Sequence, residues 1–181
     1  MHERALIRTA IVAALKGNTP ADQSVFKRRS KPFRQTELPS VNVYFTDEPI
    51  AEGSNRTAPR RLERDAVFNI DFFTGQPDEE LLDDELDAAD LAIERVMDNP
   101  ATLAAIDSVL IRDCILQSTT AGIVISGNMP LGCIHIEYLI TYRTAVRAPA
   151  PTNKFDELSV KVKTGTQEHT NVRTDINQEE P

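Results

Sequence analysis

Carboxylates concentrated in one predicted helix are the first candidates for chemistry in this chain. Within the helix predicted over residues 78–98, four aspartates recur at helical spacing: Asp83, Asp84, Asp87 and Asp90. Residues three or four positions apart are neighbours on a helix, so this spacing could hold a divalent cation. No histidine or cation-binding loop accompanies them, and a densely acidic helix side is usually a solvated surface. We therefore interpret the run as a charged surface and expect no metal site.

His135 is the second candidate, because it shares one face of a predicted strand with Glu137 and could form an acid–base pair with it. A histidine on a polar strand face is more often a surface residue. The sequence contains neither Gly-x-Ser-x-Gly nor a glycine-rich loop that would cradle a phosphate. We predict no catalytic residue and no cofactor. The alternative from the enzyme class is a metal-dependent enzyme that uses the acidic helix and His135.

Composition and charge limit the partners of this 181-residue chain. Its net charge of −8, the absence of tryptophan and the low aromatic content all argue against a general nucleic-acid binder. No apolar run approaches the roughly 20 residues that a membrane span needs, and the first residues continue as an amphipathic helix, so we expect no signal peptide. Cys114 and Cys133 lie in apolar runs and are expected to be buried and reduced, as in a cytoplasmic protein.

Two basic clusters stand out in this acidic chain, over residues 27–34 and 56–64, both in predicted loops. Solubility alone would explain them. The alternative is charge complementarity, in which the basic loops of one subunit meet the acidic helix of its neighbour or of a partner protein. The candidate residues for this interface are Arg28, Arg29, Arg34, Arg60 and Arg61 with Asp83, Asp84 and Asp87. A DNA-binding module that uses the same loops is the weakest alternative, given the net charge.

The elements that must position these side chains are centred on a strand over residues 64–73. Ala66, Phe68, Ile70 and Phe72 alternate there with more polar residues, which indicates a half-buried strand. A turn follows, and then the acidic helix, whose apolar stripe includes Leu82, Leu86 and Ile93. Alternation predicts further strands at 25–26, 40–46, 109–117 and 133–144, and residues 122–125 are expected either to extend the strand 109–117 or to pair with it. A first helix is predicted over residues 3–16.

This order of elements predicts an α+β fold, a two-layer sandwich. A mostly antiparallel or mixed β-sheet would carry two helices packed on one face, with an extended C-terminal arm. We divide the chain into a domain over residues 1–146 and a proline-rich linker with an arm over residues 147–181. A strand is predicted over residues 155–163, and its candidate interface residues are Phe155, Leu158 and Val160. From Thr164 the chain is polar, so we expect an arm or a disordered tail.

Several short stretches, which lie in the predicted helices and strands and in the basic segment between them, match the pattern of a known family: Leu15–Thr19, Val25–Arg29, Pro32–Arg34, Glu37–Tyr44, Glu63–Ile70, the acidic helix, and Tyr138–Arg143. In these stretches the chain resembles the tail-terminator family (minor tail protein U-like) of long-tailed phages. The stretches span most of residues 3–144. They are similarities of pattern and include no diagnostic motif.

The resemblance implies a structural virion protein without catalytic activity. Six copies would form a ring at the head-proximal end of the tail, having been made in the host cytoplasm. The ring would end polymerisation of the tail tube and offer a surface to head-completion proteins, with the genome passing through its lumen. The expected partners are therefore the chain itself, the tail tube protein and a head-completion or neck protein. Another head–tail connector or neck protein is the closest alternative within this class.

Overall fold

A computed structural model describes residues 2–50, 61–104, 110–126 and 129–145, together with the backbone of two short strands at 158–161 and 171–174. The side chains of residues 61, 110, 124–126, 129 and 145 are not described. The chain divides into two compact units, residues 1–146 and 147–181, which we describe separately.

The first unit is an α+β sandwich, as predicted. Its elements, in chain order, are α1 (Glu3–Leu15), β1 (Val25–Lys27), β2 (Ser40–Asp47), β3 (Arg61–Gly75), α2 (Glu79–Met97), α3 (Pro100–Ala104), β4 (Leu110–Ser126) and β5 (Met129–Ala145). One sheet has the strand order β1-β2-β3-β5-β4. Only β1 and β2 are parallel, so the sheet is mixed. A 3₁₀ turn at Gln35–Glu37, which the sequence did not predict, follows the basic cluster of residues 27–34.

The core lies between the sheet and two helices on one of its faces, as predicted. α1 packs on β1 and β2, and α2 packs on β3 and β5. The buried side chains come from alternate positions of the strands and from the apolar stripes of the helices. In β5 they are Ile134, Ile136, Tyr138, Ile140 and Tyr142. Their period of two confirms the predicted alternation and separates a helix-covered face of the sheet from the opposite face. No helix in the described part of the chain packs on that opposite face, which we call the uncovered face.

Strand boundaries differ from the predictions where a strand continues beyond its alternating apolar residues. β3 begins at Arg61, so this arginine lies in a strand and not in the predicted loop. β4 is one continuous strand, and register shifts between Ile111 and Asp113 and between Leu116 and Ser118 interrupt its pairing with β5. Such bulges disturb the alternation on which a sequence-based boundary depends. β5 likewise begins at Met129, four residues before the predicted strand 133–144, because backbone pairing continues to the end of the hairpin.

The second unit contains an antiparallel pair, β6 (Leu158–Lys161) and β7 (Asn171–Thr174). β6 falls within the predicted strand 155–163. β7 was not predicted, because Val172 is the sole apolar residue among its four residues, in a stretch that composition alone assigns to a tail.

Candidate assembly site

The predicted acidic residues Asp83, Asp84 and Asp87 are exposed on α2, on the side of the helix that faces away from the sheet. Asp78 caps the helix by accepting a hydrogen bond from the Glu80 amide, at 3.0 Å. Negative charge in the first turns is favourable because the helix dipole is positive there. Asp83, Asp84 and Asp87 form no hydrogen bond or ion pair with other described residues. We call these three residues the acidic patch.

Mutual repulsion extends along the helix beyond the acidic patch. Burial, together with the nearby charges of Glu94 and Asp87, raises the pKa of Asp90 above its ordinary value. One Asp90 carboxylate oxygen is buried and has no hydrogen-bond partner among the described residues. A helix that concentrates negative charge in this way would be stabilised by a cationic partner.

The basic segment between β1 and β2 presents three exposed cations, which are Lys31 and the predicted interface residues Arg28 and Arg34. The Arg28 amide donates to the Val43 carbonyl, and its backbone adopts a left-handed conformation with φ of 47°. The Arg34 amide donates to the carboxylate of Glu37 at 2.8 Å. Both guanidinium groups extend from an anchored backbone, and neither is paired within the described part of the chain. We call Arg28 and Arg34 the basic patch.

Arg29, which was predicted alongside them, has a role inside the subunit. Its guanidinium donates to both carboxylate oxygens of Glu37, at 3.0 and 2.7 Å. It also lies 4.9 Å from the ring centre of Phe26 and 4.6 Å from that of Phe33. The hydrogen bonds hold the pKa of the Glu37 carboxyl below its ordinary value. Because Arg29 is occupied in this way, it shapes the segment and is less available to a partner than Arg28 and Arg34.

For the other five predicted interface residues, the structure describes the backbone alone or does not describe the residue. Arg60 and Phe155 lie outside the described residues. Arg61 begins β3, opposite Ala145 in the register of the sheet. Leu158 and Val160 lie in β6, opposite Thr174 and Val172.

An apolar slot, which sequence reasoning missed, lies beside the basic patch. It has a volume of about 390 Å³, and its walls include Phe33, Leu38, Phe73 and Leu131. The rings of Phe33 and Phe73 are 5.2 Å apart. Phe73 and Leu131 follow the strand positions that alternate with the buried ones, so the slot belongs to the uncovered face of the sheet. The aromatic residues at 33 and 73 are visible in the sequence, but their meeting depends on the path of the basic segment.

The acid–base candidate His135 lies next to Asp71, and not next to the Glu137 that was considered as its partner. Its Nδ1 lies 2.6 Å from Oδ1 of Asp71 on β3, whereas Glu137 is opposite Asn69. The Tyr44 hydroxyl lies 3.5 Å from the same Asp71 oxygen, and burial next to that carboxylate raises the pKa of Tyr44 to about 12. The group is a cross-strand polar cluster.

The two cysteines are free and lie on opposite faces of the sheet, each partly buried. Burial raises the pKa of each thiol to about 11, so both are protonated at neutral pH. Over the described ranges, no three histidine, cysteine, aspartate or glutamate side chains are grouped as a metal ion requires. The helices in these ranges are also too short or too polar to cross a membrane.

Comparison with known proteins yields no family-model match and no significantly similar curated protein.

Proposed function

We propose that the protein is a structural virion protein that forms a ring at the head-proximal end of a phage tail. In this role it caps the tail tube, ends tube polymerisation and offers the joining surface for a head-completion protein. The resemblance of residues 3–144 to tail-terminator proteins motivates the proposal. The observation that carries it in the structure is the separation of an acidic patch from a basic patch within one subunit.

The two patches lie on different sides of the sheet. The acidic patch is on the outer side of the helix layer, and the basic patch is in the segment that also forms the slot on the uncovered face. When the acidic patch of one copy binds the basic patch of the next, each copy keeps one patch free. Such a head-to-tail contact propagates, and it closes into a ring when the rotation between copies permits. A six-membered ring requires a rotation of about 60° per subunit.

We further propose that the second unit of one subunit extends the sheet of its neighbour. An isolated pair of strands is marginally stable in water, so the short β6–β7 pair would gain stability from a third strand. β4 is one of the two edge strands of the five-stranded sheet, and its exposed apolar residues include Ile115, Leu116 and Ile123. Strand addition to such an edge is a common mode of association. Truncation after Ala148 tests this contribution, since unchanged ring stability would contradict it.

The functional test is an assay of tail-tube length in the presence of the purified protein. Light scattering first establishes whether a species of about six times the 20.1 kDa subunit mass forms. Added at increasing ratios to growing tubes, the ring is expected to shorten the tubes and to appear at one end in electron micrographs. A ring that leaves tube length unchanged would favour a neck or connector protein over a tail terminator.

A further inference from the structure

Leu81 is a large apolar residue on the exposed surface of α2. Its side chain is 55% exposed, and its acidic neighbours three or four positions away on the helix are Asp78, Asp84 and Glu85. The adjacent Leu82 is fully buried against the sheet, so the helix does not need Leu81 for its own packing. A large apolar side chain surrounded by acidic residues is the arrangement expected at the centre of a contact with a basic, partly apolar surface.

The slot on the uncovered face offers that surface. Its apolar walls are held in place by Arg29, which stacks on Phe33 and is fixed by Glu37 at 2.7 Å. The exposed Lys31 lines the slot, and Arg34 lies in the same segment. The volume of about 390 Å³ is sufficient for a leucine side chain, and the surrounding cations complement the carboxylates that flank Leu81.

We propose that Leu81 of one copy inserts into the slot of a second copy. The inference rests on the proposed head-to-tail assembly and gives that contact its apolar centre. Carboxylates around Leu81 then meet cations around the slot, which fixes the orientation and excludes water from the inserted side chain. Because Leu81 belongs to the helix layer and the slot to the opposite face of the sheet, the contact is heterologous and can propagate.

The donor side is tested with Leu81→Ala in the full chain, and Leu91→Ala is the matched control. Leu91 lies on the same helix and is 48% exposed, but it faces a different direction around the helix axis. Loss of one buried leucine per contact is expected to raise the subunit concentration at half-assembly by about ten- to a hundredfold. The control should change this concentration by less than about twofold. Thermal unfolding of each variant verifies that the fold is intact.

The acceptor side is tested with Gln35→Trp, which places a bulky ring at an exposed residue that lines the slot. Blocking the slot is expected to weaken assembly as much as Leu81→Ala does, and the two substitutions combined should cost no more than either alone. If both leucine variants assemble alike while charge reversal of the patches still dissociates the ring, the insertion is refuted and the proposed function stands. If the wild-type chain remains monomeric even with tail tubes present, the proposed function itself fails.

Discussion

The two faces of β3 and β5 differ in the kind of interaction that they use. On the helix-covered face, Phe68, Ile70 and Ile136 are fully buried. On the uncovered face the same strands are joined by polar pairs, such as Thr141 with Asp65 at 2.8 Å and Arg143 with Glu63 at 2.8 Å. Burial of an apolar side chain contributes about 1.5–3 kcal/mol, whereas an exposed ion pair contributes about 0–1 kcal/mol.

This difference separates folding from recognition. The covered face supplies most of the stability and tolerates little change, because interiors are close-packed. The uncovered face contributes little to folding, so its side chains are free to serve a contact between copies. The same division applies to α2, whose buried stripe holds the helix while its acidic patch faces solvent.

The largest effect is expected from Phe68→Ala compared with Val67→Ala. Phe68 is fully buried, and its truncation should lower the free energy of unfolding by about 3–5 kcal/mol. Val67 is next to it on the uncovered face and only partly buried, so the matched change should cost about 1 kcal/mol or less. Urea unfolding measures both. Equal losses would contradict the assignment of the core to one face.

A smaller loss of stability is expected from Tyr142→Phe, because Tyr142 binds the buried carboxylate of Glu48 on the helix-covered side of the sheet. Glu48 has a side chain that is only 6% exposed, and it binds Arg4 at 3.1 Å and Arg64 at 3.2 Å. The Tyr142 hydroxyl also donates to it, so Tyr142→Phe should cost about 1.5–3 kcal/mol, the usual range for a hydrogen bond to a charged group.

Tyr138→Phe is the matched control for Tyr142→Phe. The Tyr138 hydroxyl is buried and has no hydrogen-bond partner among the described residues. Its removal should therefore be neutral or stabilising by about 1 kcal/mol. Calorimetry of the two variants should separate them clearly, and the absence of a loss in both would indicate that ring contacts alone hold both tyrosines.

A further comparison tests how closely the helix layer approaches the sheet. A Cβ on Gly132 would lie 3.0 Å from the ends of Leu82 and Leu86, so Gly132→Ala should destabilise by about 1–3 kcal/mol through overpacking. A Cβ on Gly122, in the edge strand β4, would have no neighbouring atom within 4 Å. Gly122→Ala should be neutral or stabilise by about 0.4–1 kcal/mol. The difference between the two unfolding curves is the measurement, and its reversal would exclude the packing described.

The smallest effect is expected on the uncovered face, in acid. Hydrogen bonds from Arg143 and Arg112 lower the pKa of Glu63 below its ordinary value of 4.5. A lowered folded-state pKa adds stability that is fully present above the ordinary value and is lost as the pH falls through the folded-state value. Glu63→Gln should therefore lower stability slightly at neutral pH and not at all in strong acid. High salt should reduce the difference further.

Local periodicity explains which parts of the fold the sequence could predict. The alternation of Ala66 to Phe72 and the apolar stripe of α2 report burial directly, so the central strand, the helix and the α+β class were predictable. The charges of the acidic patch were predictable for the same reason, since exposure follows from their place on the helix.

Contacts between distant residues explain what the sequence could not predict. Glu48 reads as a loop residue, yet it binds partners from α1, β3 and β5. The slot depends on a contact between Phe33 and Phe73, which are forty positions apart in the chain. Arg29 was predicted as a cation available to a partner, but in the structure its guanidinium binds Glu37. The sequence did contain a signal for the exposure of Leu81, because this apolar residue lies outside the apolar stripe of α2.

The most direct test of head-to-tail assembly is the solution mass of two charge-reversed variants, alone and mixed. Arg28→Glu with Arg34→Glu makes both patches negative, and Asp83→Lys with Asp87→Lys makes both positive. Lys16→Glu, at an exposed residue outside both patches, is the control and should assemble like the wild type. Each reversed variant alone should stay near 20.1 kDa, and an equimolar mixture should recover a ring of alternating copies near six times that mass. Assembly of either variant alone, or a mixture that remains monomeric while the wild type assembles, would contradict the account.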